Sequence, residues 1–355
     1  MRVAAHTRLV SLGAILVGLV PSIAAGEVLF GAVQVHKGMC EPSAAVAVPE
    51  GSVDRTFIVA NDEDNTLRAY RPQGGEPLPM AGGNLNTFLG LDPAKDEDNK
   101  ADFEGAAWLN GKVYWIGSHS RSRKGRLREQ RWQFFATRVS TENDKVVVTP
   151  SSTQAFNGLL AAIAALEPRL AEKIQLDTER NEALAPDSGG FNIEGLAAGA
   201  DGTSLLLGLR SPLLDGEAVV IPFENPEAVV EKNEKPSLGL PRRLDLGGRG
   251  IRSIEYSAAA KAYFIVAGPA GGGSGTFDLF TLPADALTLP AHAKMPVTPV
   301  HGFAAGLQNL RASPPFQPES IIIDATGKKL HIFSDDGDSC NKAAPTFRSV
   351  AITLQ

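Results

Sequence analysis

Asp102-Phe103-Glu104-Gly105-Ala106-Ala107-Trp108, followed by Lys112–Gly117 and Ser118-His119-Ser120-Arg121, is one copy of a layout that the chain repeats. A glutamate opens a short apolar run, a tight turn follows, and a second apolar run ends in a polar or glycine-rich loop. Glu41-Pro-Ser-Ala-Ala-Val-Ala-Val repeats it, with Phe57–Ala60 running into Asn61-Asp62-Glu63-Asp64-Asn65. So do Asn192-Ile193-Glu194-Gly195-Leu196-Ala197 with Ser204–Gly208, Arg252-Ser253-Ile254-Glu255-Tyr256 with Ala262–Val266, and Pro318-Glu319-Ser320-Ile321-Ile322-Ile323 with Lys329–Phe333. Asn110-Gly111, Asp201-Gly202 and Thr326-Gly327 fall at nearly the same offset after their glutamates, and such pairs favour two-residue hairpins.

A fixed period of this kind is the signature of a repeat architecture. The five glutamates are 63, 90, 61 and 64 residues apart. Each unit has room for further strands: Ala218–Phe223 and a run near Arg243–Leu246 in the third, Thr276–Leu282 and Val297–Phe303 in the fourth. The fifth has only Phe347–Leu354, and Val28–Val35 supplies its missing outer strand. The reading is all-β: a β-propeller of five four-stranded blades, with six left open, closed by strands from both chain ends so that no sheet edge is left bare. The 90-residue interval carries an insertion: Phe156–Lys173 is rich in Leu and Ala and is expected to be helical, with a break at Pro168.

Composition sets the compartment. Met1–Arg8 carries two arginines, Leu9–Val20 is apolar, and Pro21–Gly26 is made mainly of small residues, which predicts a signal peptide over 1–25, cleaved after Ala25. Residues 26–355 are then one propeller domain, periplasmic or secreted and expected to be a monomer. No segment is long and apolar enough to span a bilayer. A net charge of −6 argues against nucleic acid, whose phosphates need a basic surface. The 2 cysteines, in an oxidising compartment, permit one pairing, Cys40–Cys340, between neighbouring ends of the ring; two unpaired buried thiols are the alternative.

In an antiparallel hairpin the start of one strand lies beside the end of the next. One rim is therefore expected to gather Glu41, Glu104, Glu194, Glu255 and Glu319, together with Asn61, Asp62, Asp102, His119, Arg121, Asn192, Arg210, Arg252, Asp335 and Asp336. Carboxylates this crowded need countercharge or raise one another's pKa. Two solutions are open. Arginines neutralise the ring, with Arg252 and Glu255 as an internal pair, in a non-catalytic scaffold or protein-binding module. Alternatively Ca²⁺ takes oxygen ligands from Glu104, Glu194, Asn192, Asp335 and Asn61. In the second case the mouth binds a small polar or anionic ligand. As an enzyme it would be a metal-dependent phosphoester or lactone hydrolase, with His119, Glu104 and Glu194 as catalytic candidates and Arg121, Arg210, Arg252, Glu41, Glu255 and Glu319 contacting the ligand.

Cys40-Glu41-Pro42-Ser43, Asn61–Asn65, Asp102–Gly105, Ile116–Arg121, Asn192–Leu196 and Leu246-Gly247-Gly248-Arg249-Gly250-Ile251-Arg252-Ser253 together resemble the bacterial domain-of-unknown-function family 3616 across nearly the whole mature chain. That resemblance implies an exported propeller and brings no activity. Glu104-Gly105-Ala106-Ala107-Trp108 is similar to the Glu-Gly-x-x-Trp motif of gluconolactonase-like propellers, where the glutamate ligates a divalent cation. The Glu-Gly motifs also resemble those of phytase-like and esterase-like exported propellers.

Overall fold

The structure, a computed structural model, describes residues 28–355 apart from 97, 143, 144, 274 and 311. The expected signal peptide and its cleavage site after Ala25 lie outside the described residues. Strand β1 (Val28–Lys37) comes first in sequence but belongs to the last sheet. The first sheet holds β2 (Pro42–Val48), β3 (Thr56–Asn61) and β4 (Arg68–Tyr70). The second holds β5 (Met80–Ala81), β6 (Phe103–Leu109), β7 (Lys112–Gly117), β8 (Phe134–Glu142) and β9 (Lys145–Pro150). In the third are β10 (Asn192–Ala198), β11 (Leu205–Leu214), β12 (Glu217–Phe223) and β13 (Arg242–Leu244). The fourth has β14 (Gly250–Ser257), β15 (Ala262–Gly268), β16 (Asp278–Pro283) and β17 (Thr298–Pro299). The fifth runs β18 (Pro318–Ile323), β19 (Lys329–Ser334), β20 (Thr346–Leu354) and, on its outside, β1.

The first strands touch in the order β2, β6, β10, β14, β18, and β18 returns to β2, so the five sheets form a propeller-like ring. Strand alternation explains why this arrangement folds. Both faces of each sheet are buried, so successive residues feed two different cores. Val113 and Trp115 of β7 pack towards the first sheet, while Tyr114 and Ile116 pack towards the third. Separate apolar clusters fill the gaps between the first and second, second and third, third and fourth, fourth and fifth, and fifth and first sheets. The gap between the second and third sheets also takes two helices, Leu159–Leu166 and Pro168–Ile174, divided at the expected proline.

Closure is as the sequence implies. β1 lies antiparallel to β20, with Val28 opposite Leu354 and His36 opposite Phe347. Cys40 and Cys340 form a disulfide across a separation of 300 residues, with Cα atoms 5.8 Å apart. A loop of that length gives about 6 kcal/mol on the chain-entropy account, an upper bound.

Strand counts depart from four in two sheets. In Arg71-Pro72-Gln73-Gly74-Gly75-Glu76-Pro77-Leu78-Pro79 three prolines lack the N–H that a ladder needs. The fourth position of the first sheet is therefore reduced to an isolated bridge, Ala69 to Leu78, and Met80–Ala81 crosses to pair parallel with β9. The expected strand Val297–Phe303 shrinks to Thr298–Pro299, and Phe303 instead opens a helix, Phe303–Asn309, that buries its ring against the fifth sheet. Among the described residues no helix is long and apolar enough to cross a membrane.

Each first strand carries an irregularity at the same place, and β10 has a second one between Asn192 and Ile193. The pairing slips between Pro42 and Ala44, Phe103 and Gly105, Ile193 and Gly195, Ile251 and Ser253, and Pro318 and Ser320. The extra residues are Ser43, Glu104, Glu194, Arg252 and Glu319. A bulge of this kind bends the strand and re-aims the side chain. A small residue follows each, because the neighbouring sheet comes very close. A Cβ on Gly105 would lie 2.8 Å from Leu196 Cβ and 2.9 Å from Ile116 Cγ2. Gly105→Ala is accordingly expected to lower stability by about 2 kcal/mol through overpacking, read from urea melts; an unchanged midpoint would mean that the sheets do not approach so tightly.

Candidate functional site

The bulges bring charge to the centre of the ring. Oxygens of Glu104, Glu194 and Glu319 lie within 4.8 Å of one another, although the residues come from three different sheets. All three residues are buried. Arg252, at the equivalent place in the fourth sheet, stands between its two neighbours in the ring. Its Nε is 3.1 Å from Glu194 Oε2 and donates to Glu319 Oε2 at 3.1 Å, and its Nη2 also donates to Glu319. Arg210 adds a 3.0 Å bond from Nη1 to Glu194 Oε1, and Asn192 Nδ2 donates to the same oxygen at 2.8 Å. Burial works to lower the Arg252 pKa, but the charges of Glu194 and Glu319 hold it above its ordinary value. Burial pushes Glu319 up to about 8, with Arg252 opposing that shift.

Glu104 is left over. Its neighbours in the ring are Ser43, which carries no charge, and Glu194, which is already taken. Among the described residues no lysine or arginine is in ion-pair contact with Glu104. Burial, and then the fields of Glu194, Asp102 and Glu319, raise its carboxyl well above the ordinary range. Glu104 also belongs to a second group, Asp62, Asp102 and Glu104, whose oxygens again lie within 4.8 Å of one another. Asp62 follows β3, and Asp102 precedes β6 in the left-handed conformation, φ 54°. Arg131 Nη1 is 2.7 Å from Asp102 Oδ2. Burial, followed by the charge of Glu41 beside it, raises Asp62 well above the usual carboxylate range.

The remaining expected site residues are distributed unequally. Glu41 lies beside Asp62, at the mouth but outside the central triad. Asp335 accepts from Gly337 N at 2.9 Å, and its charge acts on Glu41, Asp62 and Glu319. The side-chain oxygens of Asn61 and Asn192 are buried and have no hydrogen-bond partner.

Three expectations require correction. Glu255 does not pair with Arg252: it lies three residues past the bulge, and its carboxyl is raised by burial and then by Glu50. Arg121 does not face a ligand. Its guanidinium donates to the carbonyls of Gly125 (3.1 Å), Ile174 (2.9 Å) and Gln175 (2.6 Å), tying down the end of the inserted helix. His119 is 2% exposed; its Nδ1 bonds Gly117 O at 2.8 Å, burial lowers its pKa to about 4, and it joins neither carboxylate group. Sequence reasoning left Asp62 and Asp102 on the rim without a ligand role and missed Arg131; the need for a cation opposite Asp102 was the available signal.

The family described as protein of unknown function (DUF3616) matches residues 47–298. The chain belongs to that family. The match ends before β18, so Glu319 and the closing strands lie beyond it. Among solved structures, a chain of Kuenenia stuttgartiensis hydrazine synthase is 11% identical, with 85% of this chain and 68% of that one covered and a TM-score of 0.36. The Cps50 (Swd1) β-propeller domain of Myceliophteria thermophila is 9% identical, with 92% and 100% covered and a TM-score of 0.36. No curated protein matches the chain, so the gluconolactonase-like likeness of Glu104–Trp108 has no counterpart there.

Because Glu104 titrates above its unfolded value, the folded protein retains a proton that the unfolded chain sheds, and stability is lost as pH rises past about 4.3. In chelator, Glu104→Gln is expected to raise the melting temperature by about 2–4 °C near pH 8 and to leave it nearly unchanged near pH 4.5. A variant that melts lower than the parent at both pH values would contradict the unpaired state of Glu104.

Proposed function

We propose that the chain is a five-bladed β-propeller whose charged mouth binds Ca²⁺ on Asp62, Asp102 and Glu104, and through it a small anionic or polar ligand. The observation that carries the reading is Glu104: a buried carboxyl with no cationic partner, shared between two carboxylate groups. The spacing suits the ion, which takes oxygens at about 2.3–2.6 Å and fills six to eight positions. Between the two groups, accessibility and charge favour the Asp62 side. As a residue Asp62 is partly buried and no arginine among the described residues holds it, whereas Glu194 and Glu319 are buried and held by Arg252. Positions left open towards Asp62 suit ligand oxygens. Lys100, whose pKa is raised chiefly by its bond to Glu63 against the effect of burial, also lies in the field of Asp62 and Glu41 and supplies positive charge for an anion.

The arginines on Glu194 and Glu319 favour a second reading for that half of the ring, an internally neutralised scaffold. Binding rather than hydrolysis is the form supported here, since His119 joins neither carboxylate group and Arg121 is bound to backbone carbonyls. Melting the protein with Ca²⁺ and with chelator tests the proposal. A saturable upward shift is expected, abolished in Glu104→Gln and Asp62→Asn. The shift should weaken as pH falls, because both raised carboxyls take up protons that compete with the ion. Identical melts with Ca²⁺ and chelator would remove the reading.

A further inference from the structure

We infer that Arg252 is a built-in counter-cation occupying a second ion position of the mouth, and so limits the ring to one divalent ion. The inference rests on the cation reading above and assigns a role to the half of the ring that reading leaves aside. Arg252 occupies the bulge position that carries glutamate in the second, third and fifth sheets. It is therefore a charge-reversed member of the same series. From there it contacts both flanking carboxylates, Glu194 at 3.1 Å and Glu319 at 3.1 Å. Those carboxylates and Glu104 present oxygens within 4.8 Å of one another, a span that one ion of Ca²⁺ size bridges.

A second observation marks the same place as a ligand position. Asn192 is 3% exposed and its Nδ2 is bound to Glu194, yet its Oδ1 has no partner. A buried amide oxygen without a donor, on a side chain bound to Glu194, is suited to a cation. Charge explains why the guanidinium excludes the metal. With all three carboxyls ionised, as ligation requires, Arg252 and Arg210 together offset two of them, and Glu104 supplies the one negative charge left. A dication added there would overshoot; without Arg252 it would find two charges to neutralise.

Counting bound Ca²⁺ in Arg252→Ser by equilibrium dialysis, alongside chelator and Ca²⁺ melts, tests this. Serine is the residue at the equivalent place in the first sheet, Ser43. The parent is expected to bind one ion per chain and Arg252→Ser two. The variant should melt well below the parent in chelator and recover most of the difference in Ca²⁺, whereas Arg252→Lys keeps one ion. A purely structural arginine would give a low melting temperature that Ca²⁺ does not restore and a count of one; that result overturns the inference and leaves the cation reading standing. No ion in the parent but one in Arg252→Ser supports the inference and removes the Asp62 site. No ion in either removes both. Should Arg252→Ser fail to fold, Arg252→Gln, which can still donate to both carboxylates, carries the same count and the same outcomes.

Discussion

One extra residue in the first strand of every sheet governs the centre of this molecule. Where the pairing slips, a side chain is released from the ladder, and in three of the five sheets that side chain is a glutamate whose oxygens meet at the middle of the ring. Burial makes three adjoining carboxylates untenable without compensation. The fourth sheet answers with Arg252, which reaches its two neighbours in the ring, and the first answers with Ser43, which neutralises nothing. The cyclic order therefore decides which carboxylate remains unpaired. Glu104, flanked by Ser43 and an already occupied Glu194, is that residue. The same geometry makes it the meeting point of the inner triad with Asp62 and Asp102.

The surroundings hold this arrangement in place. Arg210 binds Glu194 while donating to Pro269 O at 3.2 Å and Gly271 O at 3.0 Å, and Asp187, in the segment that leads into β10, accepts from Gly272 N at 3.0 Å. One guanidinium thus joins the third sheet's glutamate to the loop of the fourth, and Gly272 joins that loop to the segment before β10. Arg121 ties the C-terminal end of the inserted helix to the loop after β7. Both arginines fix the walls beside the mouth. Small residues after the bulges contribute directly: Ser320 Oγ donates to Pro42 O at 2.8 Å, joining the fifth sheet to the first.

The ring of repeats was readable because it rests on local patterns. Alternating apolar runs, Asn110-Gly111-type turns, the proline at 168 and a lone pair of cysteines each have short-range causes. The closing strand Val28–Lys37 was also visible, since the fifth unit was one strand short. The register of the bulge was not. A glutamate two residues early (Glu41) or three late (Glu255) looks equivalent along the sequence, and only strand pairing separates them from the true series. Aligning on glutamate also concealed the charge reversal at Arg252, which occupies the position itself. Arg121 and His119 were misread for another reason: the carbonyls that take up Arg121 come from Ile174 and Gln175, more than fifty positions away, and the burial of His119 depends on how sheets pack.

The central claim is that Glu104, among the described residues, is a buried carboxyl without a cation of its own, whose pKa burial and its acidic neighbours raise. Infrared difference spectra between the parent and Glu104→Gln at neutral pH address it most directly, because a protonated carboxyl has a carbonyl stretch that a carboxylate lacks. The account predicts a neutral-carboxyl band in chelator that belongs to Glu104 and vanishes on adding Ca²⁺. A parent spectrum in which Glu104 contributes only carboxylate bands, unchanged by the ion, would contradict it.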